Sequence, residues 1–261
     1  MGRRVDKKYV YHLNLDEEKI QGARYAFLPG DPFRCQSIAH AFDQKSTQIA
    51  WKREYCTWLG RINGIPVLVT STGIGGPSTS IAIDELAQLG VRTFIRVGTT
   101  GAIQPYIDMG DVIITSGSVR LDGASTHYAP IEYPAVAHFE VINALVQGAI
   151  AEEIKYHVGI TLSSDTFYPG QERKKSFTCY VPRRFQEMTK EWKRLNVLNY
   201  EMESSTVLTL CSAMGLGGGC VTGVIDQWGQ KEDITPEDLK LGENNAARVA
   251  VRAMNYLIEK G

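Results

Sequence analysis

No apolar run in this 261-residue chain approaches the length that a bilayer-spanning helix needs. Residues 1–6 carry charge but no apolar stretch, so they do not read as a secretion signal. Gly2 is followed by Asp6 where an N-acylation site wants Ser or Thr. The five cysteines (Cys35, Cys56, Cys179, Cys211 and Cys220) are odd in number and form no C-x-x-C pair. That speaks against a disulfide framework and a zinc cluster, and fits a reducing compartment. The expectation is a soluble, cytoplasmic protein without a membrane partner. Charge of one sign is also missing. A net charge of −1 offers no broad cationic surface for nucleic acid, so any anion site must be built locally from a few cations and backbone N–H groups. There is no G-x-S-x-G, Walker A, H-E-x-x-H or kinase signature, no internal repeat and no low-complexity linker.

What remains is an ordinary globular composition, 43% hydrophobic and 22% charged. Apolar runs that read as buried strands recur at 25–28, 67–70, 93–97, 112–115, 157–162, 197–200 and 220–225. Helical patterns lie between several of them, at 78–89, 139–150, 203–214 and 244–258. Pro77 just ahead of the first helix and Gly90 just after it are start and stop signals. Alternation of this kind predicts a single α/β domain over residues 1–261 with a mostly parallel or mixed central sheet. Ligands of such sheets sit beyond the carboxyl ends of the strands. The polar motifs fall there: Gly30 follows the first strand, Thr99 the third, Phe167 the fifth, Glu201 the sixth and Asp226 the last.

Each motif has a plain reading beside a functional one. Pro29-Gly30-Asp31-Pro32-Phe33-Arg34 is either an ordinary βα turn or an anion loop, with Gly30 admitting close backbone approach and Arg34 in the first helical turn. Thr72-Gly73-Ile74-Gly75-Gly76-Pro77-Ser78 suggests a dinucleotide loop. The next strand, however, carries Arg96 and not the ribose-binding acid that such a loop needs, so its glycines read as packing at the edge of a site. In Arg96-Val97-Gly98-Thr99-Thr100-Gly101, Arg96 supplies bidentate donors suited to phosphate, or else a structural salt bridge with Glu203 as a partner. Glu201-Met202-Glu203 suits acid/base work or a divalent metal, but no matching Asp/His set accompanies it. Glu203 as an acceptor for sugar hydroxyls is the better use, and a carboxylate opposing a helix dipole is compatible with it. Ser163-Ser164-Asp165-Thr166-Phe167-Tyr168-Pro169-Gly170-Gln171-Glu172-Arg173 is the richest stretch. It brings a ring that stacks together with a carboxamide and a guanidinium that read the edge of a planar amide-like base.

Together these blocks resemble the nucleoside phosphorylase family, in its pyrimidine branch of uridine phosphorylases, over nearly the whole chain. The resemblance implies a three-layer α/β/α fold with a central mixed sheet. It implies phosphorolysis of uridine, with deoxyuridine or thymidine as further candidates, to uracil and ribose 1-phosphate. No organic cofactor is implied, and inorganic phosphate is the co-substrate. By position, phosphate would meet Gly30, Arg34, Arg96 and Thr99, with Arg53 from a neighbouring subunit. Ribose would meet Thr99, Met202 and Glu203, with His12 from the neighbour. The base would lie against Phe167, bonded to Gln171 and Arg173, near Thr100 and Gly101. Arg96, Gln171 and Arg173 would carry the catalysis. Glu54, Ile74 and Ser78 match positions that bind potassium at a dimer interface in some relatives. Family members assemble as homo-oligomers, either dimers or hexamers built as trimers of dimers.

The chain departs from the pattern in Thr222-Gly223-Val224-Ile225-Asp226-Gln227-Trp228-Gly229. The uridine-cleaving relatives carry an apolar residue at 226 and an Arg at 228, both beside the base. Asp226 therefore motivates a second reading, a purine or broad-specificity phosphorylase. Trp228 motivates a third, a nucleoside-binding paralogue without turnover.

Overall fold

The computed structural model describes residues 8–229 and 234–260; residues 1–6, read above for targeting signals, lie outside them. In chain order the elements begin with β1 (Tyr9–Val10), β2 (Leu15–Asp16), α1 (Glu17–Ile20), β3 (Tyr25–Pro29) and α2 (Arg34–Phe42). Then come β4 (Thr47–Lys52), β5 (Tyr55–Ile62), β6 (Ile65–Thr70), α3 (Gly76–Leu89) and β7 (Thr93–Ala102). The middle holds β8 (Val112–Leu121), α4 (Ala124–Tyr128), β9 (Ala135–Val136), α5 (Phe139–Ala151) and β10 (Tyr156–Ser164). The last third supplies α6 (Met188–Arg194), β11 (Val197–Glu201), α7 (Ser204–Ala213), β12 (Gly217–Gln227) and α8 (Pro236–Lys260). No described helix is long and apolar enough to cross a membrane.

The main sheet is mixed and runs β11-β10-β8-β12-β7-β3-β6-β5-β4. β11 also pairs antiparallel with β7, so β7, β12, β8, β10 and β11 close on one another like a small barrel. Alternation along the strands sends neighbouring residues to opposite faces. Ala26, Leu28 and Leu68 pack with Ile83 and Leu86 of α3 and Val207 of α7. Phe27, Val67 and Val69 pack instead with Ile38 of α2, Leu145 of α5 and Val249 of α8. Helices thus cover both faces, and the expected α/β architecture with a central mixed sheet is present. A fully buried Leu, Ile or Phe contributes about 1.5–3 kcal/mol, so these two clusters supply most of the driving force.

All seven expected strands and four expected helices are found, several of them longer than anticipated. β7 and β12 differ most. Thr99, Thr100 and Gly101 do not form a loop after β7 but continue it to Ala102, opposite Gly223, Val224 and Asp226 of β12. Asp226 likewise lies inside β12, just past a slip in register between Val224 and Asp226 that makes Ile225 an extra residue. The pairing of β11 and β12 with this segment holds the backbone extended where Gly and Thr suggested a turn. The β4–β5–β6 meander was not anticipated. Asn63-Gly64 between Ile62 and Ile65 was its signal, since both residues adopt positive φ (50° and 81°), as a two-residue hairpin turn demands.

Candidate active site

The expected strand ends meet at one cavity of about 500 Å³, bordered by Gly30, Arg34, Arg96, Thr99, Phe167, Gln171, Met202, Glu203 and Asp226. At one end two loops lie in contact. Thr72 and Gly73 donate their N–H groups to the Pro29 and Gly30 carbonyls, both at 2.9 Å. A Cβ at Gly30 would sit 3.3 Å from the Gly73 carbonyl oxygen, so a bare backbone lets the loops approach. Arg34, the first residue of α2, projects from here, and its Nε lies 3.0 Å from Glu243 Oε1 on α8.

Arg96 is buried beside two carboxylates. Its Nε donates to Glu201 Oε2 at 2.8 Å, and its Nη2 meets Glu203 Oε2. Gly98 makes this possible, because a Cβ there would stand 2.8 Å from Arg96 Nη2. Burial acts to lower the Arg96 pKa, but Glu203 and Glu201 outweigh it and the guanidinium is held charged. The two acids differ in use. Glu201 accepts from the Ser163 and Ser204 hydroxyls and from the backbone N–H groups of Glu203 and Ser204, so it caps the start of α7. Glu203 accepts the Gly75 N–H at 2.5 Å and faces the cavity. Burial raises its carboxyl above the usual range, with Arg96 opposing and Glu201 adding to the rise. The glycine-rich loop therefore holds an acid, and no dinucleotide is needed to explain it.

The opposite end comes from the loop after β10. Pro169–Gln171 forms a 3-10 turn, and Gly170 packs so closely that a Cβ would fall 2.0 Å from Ser164 Oγ. Glu172, at φ 55°, turns its carboxylate to the N–H groups of Glu187 and Thr189 at the head of α6. This staple fixes Gln171 and Arg173, both nearly wholly buried. Arg173 Nε donates to Gln171 Oε1 at 3.1 Å, and Arg173 Nη2 to Asp226 Oδ2 at 2.7 Å. Gly101, opposite Asp226 on β7, leaves room for both charged groups. The Arg173 guanidinium lies 4.2 Å from the centroid of Phe167, covering one face of that ring. Phe167 therefore offers its other face or its edge to a ligand.

The remaining expected residues differ in where they sit. Trp228 is not among the residues that border the cavity; it packs against the cluster of Ile103, Leu162, Met188, Val197 and Tyr200. Thr100 borders the cavity, yet its hydroxyl already donates to the Tyr200 carbonyl and accepts from Asn199. His12 and Arg53 lie outside the cavity of their own chain. His12 Nδ1 sits 2.6 Å from Glu85, and Arg53 occupies the β4–β5 turn at φ 55°. Glu54 and Ser78 flank Gly73, and the Ser78 hydroxyl reaches the Gly75 carbonyl at 3.3 Å. Among the described residues no group of three His, Cys, Asp or Glu side chains could hold a metal ion.

Residues 24–258 match the family described as the phosphorylase superfamily. The chain belongs to that superfamily. It is 53% identical to the uridine phosphorylase of Haemophilus influenzae over 249 residues, which is 95% of this chain and 98% of that protein. It is 52% identical to the uridine phosphorylase of Escherichia coli over 254 residues, covering 97% and 100% of the two chains. With the uridine phosphorylase of Thermococcus kodakarensis the identity is 47% over 249 residues, 95% and 87% of each.

Within this phosphorylase chain, three acids that anchor expected site residues escaped sequence reasoning. Glu85 accepts the His12 and Leu13 N–H groups as well as the His12 ring, Glu172 staples the base loop, and Glu243 faces Arg34. Glu85 and Glu243 lie in helices with no motif around them, whereas Glu172 lies inside the Ser163–Arg173 stretch, and each acts on a residue distant in sequence.

Proposed function

We propose that this chain catalyses phosphorolysis of uridine. Uridine and hydrogen phosphate become ribose 1-phosphate and uracil, the proton of hydrogen phosphate ending on the base. One observation carries the reading: a single cavity joins a cationic end to a carboxamide–guanidinium end through a buried acid. Its volume suits a nucleoside with an anion, within the usual range of small-molecule sites. The relatives named above, at about half identity over nearly full length, support the same reading.

Arg34, Arg96, Thr99 and the Gly30 backbone are assigned to phosphate, which is held beneath the anomeric carbon. Proximity makes its oxygen the nucleophile, and its charge stabilises the cationic sugar as the glycosidic bond breaks. Glu203 and Met202 are assigned to the ribose, with the hydroxyls donating to the Glu203 carboxylate. Gln171 and Arg173 take the negative charge that grows on uracil, a preorganised electrostatic role like that of an oxyanion hole. No covalent enzyme intermediate is required.

Asp226 is engaged with Arg173, which removes the motive for a purine acid at that position. Trp228 lies outside the lining, and the names of the relatives favour turnover over a site that only binds. We further assign Arg53 and His12 to the site of a second subunit in a homodimer, or in a hexamer built of such dimers. Exposed aromatics near the cavity mouth fit that assignment: Phe33 is 78% exposed and stands edge-to-face with Trp51 at 5.8 Å. The Glu54 carboxylate, the Ile74 carbonyl and the Ser78 hydroxyl are oxygen donors suited to potassium, and no step of the reaction runs through that ion. The test is phosphorus NMR of purified protein with uridine and phosphate. Ribose 1-phosphate should appear in step with uracil, and release of uracil without phosphate would refute the proposal.

A further inference from the structure

A second cavity of about 410 Å³ lies between α2 and α8, and Arg34 and Gly98 border both it and the active cavity. The long Arg34 side chain therefore stands in a thin wall with space on either side. Free arginine side chains give up roughly 2 kcal/mol of rotamer entropy when ordered, so an arginine in this position needs something to hold it. Among the described residues the carboxylate paired with it is Glu243, with Oε1 3.0 Å from Arg34 Nε.

Glu243 rides on a rigid part of α8. Gly242 lies against Gly223 of β12 so closely that a Cβ on Gly223 would fall 2.0 Å from the Gly242 carbonyl oxygen. One turn along, Asn245 donates its side-chain N–H to the Gly110 carbonyl at 2.8 Å. Farther along, Gly148 of α5 meets the Val249 carbonyl, where a Cβ would stand 2.6 Å away. Glycine at 223 and 148 permits this backbone-to-backbone seating, and a Cβ at Gly242 would stand 2.6 Å from Ile225 Cγ2, so the register of α8 at Glu243 is fixed by shape.

The contact with Arg34 is an ion pair at hydrogen-bonding distance but without hydrogen-bond alignment, since Arg34 Nε is buried with no hydrogen-bond partner. Glu243 thus fixes where the guanidinium sits without using its N–H fork. On the proposed phosphorolysis, the fork is what phosphate needs.

We infer that Glu243 is a positioning residue for phosphate: it holds Arg34 at the active-cavity side of the wall and keeps it out of the α2–α8 cavity. The opposing effect is repulsion, because a carboxylate near a bound anion weakens it. The two effects predict opposite outcomes. If Glu243 only repels, removing its charge in any way tightens phosphate. If it positions, the outcome depends on whether the replacement still reaches Arg34.

The inference rests on the proposed activity, so wild-type phosphate-dependent uridine cleavage is measured first. Its absence would sink that activity and this inference with it. Inorganic phosphate is then titrated calorimetrically into wild type, Glu243→Gln, Glu243→Asp and Glu243→Ala, alongside KM for phosphate and for uridine. Positioning predicts that Glu243→Gln, which keeps length and an acceptor, stays within a few-fold of wild type. It predicts phosphate affinity roughly tenfold weaker in Glu243→Ala and Glu243→Asp, the size of one charge-assisted contact, with KM for uridine unchanged. Equal or tighter phosphate binding in both shortened variants would overturn the inference. So would a loss shared equally by phosphate and uridine. Should Glu243→Ala not fold, Glu243→Asp carries the same test.

Discussion

Asp226 and Arg173 form a buried ion pair, with side chains only 2% and 7% exposed, at the end of the cavity assigned to the base. Replacing Asp226 by Asn keeps the shape and one acceptor but removes the charge. Two consequences of opposite sign follow. Stability should fall, because a hydrogen bond to a charged group contributes about 1.5–3 kcal/mol and a buried guanidinium loses its counter-charge. For a chain of this size that is a drop of several degrees in Tm, at about 2–4 °C per kcal/mol. Turnover should rise. A base bonded to Arg173 lies roughly 7 Å from the carboxylate beyond it, and at an effective dielectric of about 20 a full negative charge there costs roughly 2 kcal/mol. The transition state carries only part of that charge. About 1 kcal/mol is then recovered, a gain of roughly fivefold in kcat for uridine. The assay pairs thermal unfolding with steady-state kinetics on uridine. A variant that is slower on uridine and unchanged in Tm would refute the reasoning, since Asp226 would then act on the substrate directly.

Arg34→Ala should raise KM for phosphate about tenfold or more while leaving that for uridine nearly unchanged, because it deletes a charge-assisted contact to one substrate only; equal effects on both would remove Arg34 from the anion site. Mixing Arg53→Ala chains with Gln171→Ala chains should restore activity that neither has alone, since each mixed dimer holds one complete site. No recovery in mixed oligomers verified by mass spectrometry would argue against shared sites. Glu85 is held below the usual carboxylate range: burial acts to raise it, but the N–H groups of His12 and Leu13 and the His12 ring outweigh burial. Its contribution is therefore complete above the unfolded pKa of about 4.3 and disappears as pH falls through the lower folded value. The Tm deficit of Glu85→Gln should accordingly be full at pH 7 and vanish in strong acid, and a deficit that grows on acidification would show the sign to be wrong.

The order of strands and helices was legible because each buried strand is a short apolar run and each helix an amphipathic one. The cavity was legible because strand-end loops must converge in such a sheet. Two kinds of information were not. Thr99 to Gly101 and Asp226 read as loop, since Gly and Thr suggest turns; only the neighbouring strands β11 and β12 hold them extended. Two long-range pairings were invisible as well: Glu243 with Arg34 and Glu85 with His12 join positions 209 and 73 residues apart. Sequence spacing carries no trace of such contacts. The Arg173 partnership was inferable as a consequence of the unusual Asp226, and the structure contains it. Trp228 shows the converse, because position alone put it at the base and packing sets it against an apolar cluster outside the cavity lining.

The ratio of kcat/KM for uridine to that for inosine, both with saturating phosphate, tests the central claim most directly. Gln171 and Arg173 as readers of a pyrimidine edge, with Asp226 engaged by Arg173, predict a clear preference for uridine. A preference for inosine, abolished selectively by Asp226→Asn, would contradict the account.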